Sequence, residues 1–215
     1  MVMTAIITII AAYFIGSINF AVIFTKLFTH RDIRDFGSGN AGTTNVMRVG
    51  GFLPGALTFL CDALKGFAAC ALGKLIFDYI SHYSDSVWAW SIFGAYICGI
   101  ACMLGHVFPI FFGFKGGKGV ATSVGIFAVC CPIAIALGLV CFALLLLITR
   151  IVSVSSLSAT VVVVVFSIIF ADAYAPLIPQ IVMSVIMGII VYVKHIDNIK
   201  RLMKGEEKKI FVRRK

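Results

Sequence analysis

The sequence predicts an all-α integral membrane protein, a bundle of about seven transmembrane helices with an external N-terminus and a cytoplasmic C-terminus. Three observations predict it. The 215 residues are 61% hydrophobic and only 13% charged, against roughly half and a quarter in soluble domains. Apolar runs at 3–28, 52–80, 87–112, 120–131, 133–149, 151–171 and 176–193 follow one another with short polar connections. The basic residues concentrate in alternate connections. A mean hydropathy of +1.08 points the same way.

The first run opens MVMTAIITIIAAYFIG. It resembles a secretion signal, but it lacks a basic leader and stays apolar past Phe20, so it reads as a retained first helix. The second run carries Asp62 and Lys65 three residues apart. Intramembrane charges are costly and pair toward the interior; a structural ion pair and a ligand contact are both open. The stretch 120–149 reads either as one tilted helix or as two helices broken at Cys131-Pro132, because proline removes a helix hydrogen bond.

Charge chooses between these readings. If the chain turns back at Pro132, the loop 29–51, the loop 113–119, Arg150 and the tail from Lys194 share one side. With Lys26 beside the first loop, that side holds every one of the 18 Lys and Arg except Lys65 and Lys74. The other side receives the N-terminus, 79–86, the Pro132 turn and 172–175, whose only charges are Asp85 and Asp172. The basic side is cytoplasmic. A single 120–149 helix would put the basic tail opposite the basic loops. The run 120–131 is short for a full crossing, which suggests a half-span or a tilted buried segment.

One polytopic domain over 1–215 is expected. The net charge of +9 does not imply nucleic acid, because the cations sit in short loops between apolar runs. The seven Cys lie within apolar runs without CxxC spacing, which predicts neither a zinc site nor a disulfide framework.

Three constellations carry chemistry. The first loop reads Asp35-Phe36-Gly37-Ser38-Gly39-Asn40-Ala41-Gly42-Thr43-Thr44-Asn45-Val46-Met47-Arg48. Glycines let backbone N–H groups face a ligand. Ser38, Asn40, Thr43 and Asn45 add hydroxyls and amides, and Arg48 offers a planar fork for phosphate. A polar connector would explain the residue types but not their density. The second constellation is Gly105-His106-Val107-Phe108-Pro109, then Lys115-Gly116-Gly117-Lys118-Gly119 opening into an apolar helix. Two ammonium groups and flexible backbone at a helix N-terminus make an anion site, although the spacing is not that of a Walker A loop. A turn whose lysines only set topology is the plainer alternative, and His106 by itself reads as a structural hydrogen bonder. The third is the run Lys194 to Glu206, where His195, Asn198 and Arg201 share a face if the helix continues. Its plainer alternative is a basic interfacial tail. Ser153, Ser155 and Ser156 follow Arg150 at a helix start, where capping competes with binding. All these clusters except Asp62 and Lys65 map to the cytoplasmic face.

At these residues the sequence resembles the PlsY family, the acyl-phosphate-dependent glycerol-3-phosphate acyltransferases of bacteria. The likeness rests on GSGNAGTTNVMR (37–48), GHVFPIFFGFKGGKGVAT (105–122) and KHIDNIKRLMKGEE (194–207), in that order, with GSINFA (16–21), CDALKG (61–66) and RIVSVSS (150–156) also similar. It covers nearly the whole chain. The resemblance implies a seven-helix bundle of the bacterial inner membrane with its active site facing the cytoplasm. It implies transfer of a fatty acyl group from acyl phosphate to the 1-hydroxyl of sn-glycerol 3-phosphate, giving lysophosphatidic acid and phosphate, the first step of bacterial phospholipid synthesis. Acyl phosphate, glycerol 3-phosphate and membrane lipid are the implied partners, with no cofactor and no metal.

Carried over by motif, Ser38 and Arg48 stand at essential positions. Gly116, Gly117, Lys118 and Gly119 match the phosphate-binding loop. His195 and Asn198 match a critical polar pair, and Ser153 an active-site serine. Lys194 replaces an Arg common in the family, and Thr43 an Ala; the first keeps charge but loses a bidentate fork. Either His195 or a substrate phosphate can take the proton. A transporter for a phosphorylated metabolite is the main rival, but its site belongs near the midplane. His30 and Asp35 reproduce the HxxxxD spacing of acyl-CoA-dependent acyltransferases within HRDIRD, in the wrong context.

Overall fold

The computed structural model describes residues 1–83, 91–171 and 177–210. The expected outer-face residues Asp85 and Asp172 lie outside them. Every regular element among the described residues is a helix or a helical turn.

The first apolar run is not one helix. It forms α1 (Val2–Ser17) and α2 (Phe20–Thr29). Ile18 is extended, at φ −68° and ψ 114°. The side chain of Asn19 then caps α2 by accepting the Val22 N–H at 3.2 Å. An amide that satisfies an orphan N–H competes with helix continuation, and hydropathy does not register it. The first polar loop holds a short helix, α3 (Thr43–Gly50), before α4 (Phe52–Ser81) and α5 (Ser91–Val107). The stretch 120–149 is two helices, α6 (Val120–Cys130) and α7 (Pro132–Thr149), with Pro132 in the first turn of α7. There its missing N–H costs nothing. Then come α8 (Val152–Ile169), α9 (Leu177–Lys194) and α10 (Ile196–Met203).

Among the described residues five helices, taking the broken Val2–Thr29 as one, are long and apolar enough to cross a membrane. The pair α9 and α10, bent by 57°, gives a sixth. The expected seventh, α6, has 11 residues and rises only about 16 Å, about half the hydrocarbon thickness. Apolar side chains on these helices face outward, Leu147 and Ile148 at 77% exposure, as a lipid solvent permits.

The chain divides into two compact units, Met1–Cys130 and Cys131–Lys215. In the first, α4 packs against α1, α5 and α6. Glycine faces make these approaches close. A Cβ at Gly16 would collide with the Cys102 carbonyl, one at Gly73 with the Gly94 carbonyl, and one at Gly125 with the Ala63 carbonyl. Small residues let membrane helices approach to backbone contact, where dispersion replaces the missing hydrophobic drive. In the second unit α8 packs between α7 and α9. Gln180 donates to the Ser167 carbonyl at 2.7 Å.

Candidate functional site

The first unit brings the first and second constellations together. Ala21, Val22, Ile33, Ala41 and Val46 form a small core under the first loop, with Phe112 packed on it. Arg34 ties the two loops: its Nη1 donates to the Phe112 carbonyl at 2.7 Å. Asp32 holds that guanidinium with both carboxylate oxygens, at 2.9 and 2.8 Å. Hydrogen bonding from Arg34, against the cost of burial, pulls the Asp32 carboxyl down to about 2. This explains HRDIRD as a loop clamp. His30 ends α2 in the left-handed region, and Asp35 is exposed at the end of a helical turn.

Ser38 is displayed between two left-handed glycines, Gly37 at φ 67° and Gly39 at φ 70°, a conformation that suits residues without a Cβ. Asn45 departs from the expectation that it binds substrate. It is buried, its Oδ1 accepts the Ser38 N–H at 2.9 Å, and its Nδ2 donates to the Ile33 and Phe36 carbonyls at 3.2 and 2.9 Å. Its amide is committed to holding the loop that presents Ser38. Arg48 is exposed in the last turn of α3, Asn40 is half-buried, and Thr43 Oγ1 is buried without a hydrogen-bond partner among the described residues.

The glycine-rich loop differs from expectation in one respect. The Gly117 N–H does not face outward toward an anion; it donates to the His106 carbonyl at 3.1 Å. Position 117 needs glycine because a Cβ there would collide with His106 Nε2 and lie 2.7 Å from the Ala41 carbonyl. A Cβ at Gly116 would collide with the His106 carbonyl. Gly119, at φ 85°, leads into α6, whose first-turn N–H groups point toward the loop as in any helix. Lys115 is exposed and Lys118 half-buried beside that turn.

The second unit holds the third constellation and Ser153, and it adds a residue that sequence reasoning passed over. Glu207 gathers Ser153, Asn198 and Arg201. Its Oε1 accepts from Ser153 Oγ at 3.0 Å and from Asn198 Nδ2 at 2.6 Å, and its Oε2 pairs with Arg201 Nε at 2.7 Å. Burial pushes this carboxyl up, but the hydrogen bonds from Arg201, Asn198 and Ser153 outweigh it and hold it below the ordinary glutamate value. Gly205 turns the chain at φ 70°, and the Ile210 N–H donates to the Arg150 carbonyl at 2.8 Å. The signal was present in KGEE, an acidic pair after a basic helix, but its partners lie up to 54 residues away.

The expected continuous helix through His195, Asn198 and Arg201 breaks at His195, at φ −103° and ψ 6°. The bend places Asn198 and Arg201 on α10 while buried His195 stands at the joint. His195 Nδ1 lies 2.8 Å from the Val191 carbonyl. A carbonyl only accepts, so Nδ1 carries the proton and Nε2 is the basic nitrogen of the neutral ring.

A family model for glycerol-3-phosphate acyltransferases matches residues 6–205. The chain is 40% identical over 205 residues to glycerol-3-phosphate acyltransferase 2 of Bacillus anthracis, covering 95% of this chain and 98% of that one. It superposes on PlsY (YgiH), an integral membrane glycerol 3-phosphate acyltransferase, in its glycerol 3-phosphate crystal form, with a TM-score of 0.81 and 34% identity over 96% of this chain and 95% of that one. The lysophosphatidic acid form of that protein gives 0.78 at 34% identity, over 95% and 94%. The fold and its polar clusters define an integral membrane acyltransferase. More particularly, the chain belongs to the PlsY family of glycerol-3-phosphate acyltransferases.

Proposed function

We propose that this chain, acting as one acyltransferase domain, moves a fatty acyl group from acyl phosphate to the 1-hydroxyl of sn-glycerol 3-phosphate. The products are lysophosphatidic acid and inorganic phosphate, and the reaction runs on the cytoplasmic face of a bacterial inner membrane. The observation that carries this reading is the convergence, in one unit, of the Ser38 loop with the Lys118 loop at the start of α6. Both substrates are phosphorylated, and that unit supplies cations and oriented backbone for anions.

The glycerol oxygen attacks the acyl carbon directly. The bond from that carbon to the phosphate oxygen breaks, and the electron pair leaves with inorganic phosphate. Arg48, Lys118 and Ser38 stabilise the charge that gathers on phosphate and carbonyl oxygens, with Lys115, Asn40, Thr43 and the glycine loop helping to bind. The single proton of the attacking hydroxyl passes to a dianionic phosphate oxygen; His195, carried over by its motif, positions the glycerol by accepting at Nε2 from its other hydroxyl. Within the second unit Glu207 holds Asn198 and Ser153 in place. An acyl phosphate is already an activated anhydride, so orienting two anions is most of the task.

The test is donor choice. Purified protein in lipid nanodiscs receives glycerol 3-phosphate with palmitoyl phosphate, or with palmitoyl-CoA in parallel. Lysophosphatidic acid is expected from the first and little from the second. Comparable kcat/KM with the thioester would remove acyl phosphate as the defining donor.

A further inference from the structure

Three ionisable side chains inside the first unit take no part in the chemistry above. Asp62 and Lys65 lie on α4, 1% and 4% exposed, with Nζ and Oδ1 2.8 Å apart. Charges buried this deeply are destabilising unless several partners satisfy them. Lys65 Nζ also donates to the Ile18 carbonyl at 2.7 Å, the group set free by the break between α1 and α2. It lies 5.7 Å from the centre of the Phe20 ring. Asp62 Oδ1 in turn lies 3.4 Å from His106 Nδ1 on α5. The other edge of His106, Nε2, borders Gly117, and its carbonyl receives the Gly117 N–H.

We propose that His106, oriented by the Asp62–Lys65 pair and the Ile18 carbonyl, is a positioning residue for the Gly116–Lys118 segment, setting the place from which Lys118 meets the phosphate of glycerol 3-phosphate. The chain of contacts runs from the helix break to the loop through α4 and α5. An ion pair retained only for stability has no need of a third group facing the loop. Replacing such a pair by apolar residues is often neutral for folding. A residue with one ring edge on the carboxylate and the other on Gly117 fixes the loop through packing as well as through its carbonyl. Gly117 is then a glycine because the ring occupies the space beside it.

This inference rests on the reading that the loop binds substrate phosphate, and the experiment separates the two. Apparent KM for glycerol 3-phosphate and kcat are measured for Lys118→Ala, His106→Ala, His106→Gln, Gly117→Ala, the double variant Gly117→Ala with His106→Ala, and the apolar pair Asp62→Leu with Lys65→Met. His106→Ala is expected to raise KM about tenfold, the scale of one lost buried partner, with a much smaller change in kcat. Gln recovers part of that loss. The apolar pair raises KM similarly while its thermal midpoint stays near that of the unaltered protein. The penalty of Gly117→Ala shrinks when the His106 ring is absent, because neighbouring sites couple. Additive effects at 106 and 117, or an unchanged KM in His106→Ala beside a raised one in Lys118→Ala, overturn the positioning role and leave the phosphate loop standing. An unchanged KM in Lys118→Ala and His106→Ala alike overturns both.

Discussion

Asn198 donates its Nδ2 proton to Glu207 Oε1 at 2.6 Å, and through that carboxylate it is tied to Ser153 and Arg201. A residue beyond the last helix thus fixes an expected catalytic amide. Glu207→Gln keeps the volume but replaces the Arg201 ion pair with a neutral contact. It is expected to cost about 1.5–3 kcal/mol of local stability and to lower kcat. Thermal unfolding in nanodiscs and steady-state kinetics check both. Full activity in Glu207→Gln would reduce the carboxylate to a bystander.

Asn45 is expected to act on Ser38 rather than on substrate. Asn45→Ala orphans the Ser38 N–H and two carbonyls in one step, so stability falls by about 1–3 kcal/mol. Asn45→Asp keeps the acceptor for Ser38 but loses both donors. Its kcat should fall between those of the unaltered chain and Asn45→Ala, with KM for glycerol 3-phosphate little changed. A large KM effect in Asn45→Asp would return Asn45 to the substrate.

The tautomer of His195 separates two roles. If Nε2 only accepts a hydrogen bond, the carbonyl end of Gln can do the same, and His195→Gln retains substantial turnover. His195→Ala should lower kcat by about 10²–10⁴-fold. Loss of turnover in Gln as complete as in Ala, with folding and substrate affinity intact, would make the imidazole the base.

Topology is open to direct labelling. A cysteine placed at Pro132 should react with an impermeant thiol reagent from outside intact cells, if α6 and α7 turn back there as the distribution of Lys and Arg requires. Companion positions 84 and 174, expected on the same face, lie outside the described residues. Reaction at 132 only after the membrane is opened would reverse the topology.

The loop clamp predicts acid sensitivity. Asp32 has its carboxyl at about 2 in the folded chain, against an ordinary 3.8. A depressed carboxyl contributes stability that is fully present above about 3.8 and is lost as pH falls through about 2. Asp32→Asn should therefore flatten the fall in thermal midpoint between about pH 5 and about pH 2. An identical acid profile in both proteins would show that Arg34 does not hold this carboxyl.

Hydropathy and the proline at 132 were enough to locate most of the apolar helical runs and the break between α6 and α7. Those features are local, or add along the chain, so a sequence displays them directly. The three polar motifs marked Ser38, Lys118 and His195 as candidates for the chemistry. What the sequence did not disclose depends on partners distant in the chain. The break at Ile18 becomes intelligible only when its carbonyl meets Lys65, 47 residues on. Gly117 looked like a phosphate-facing glycine until the ring of His106 was found beside it. Glu207 looked like tail charge until Ser153, 54 residues earlier, donated to it. Tertiary structure decided these cases because a side chain's role is set by what fills its hydrogen-bonding positions, and packing brings those partners from other helices.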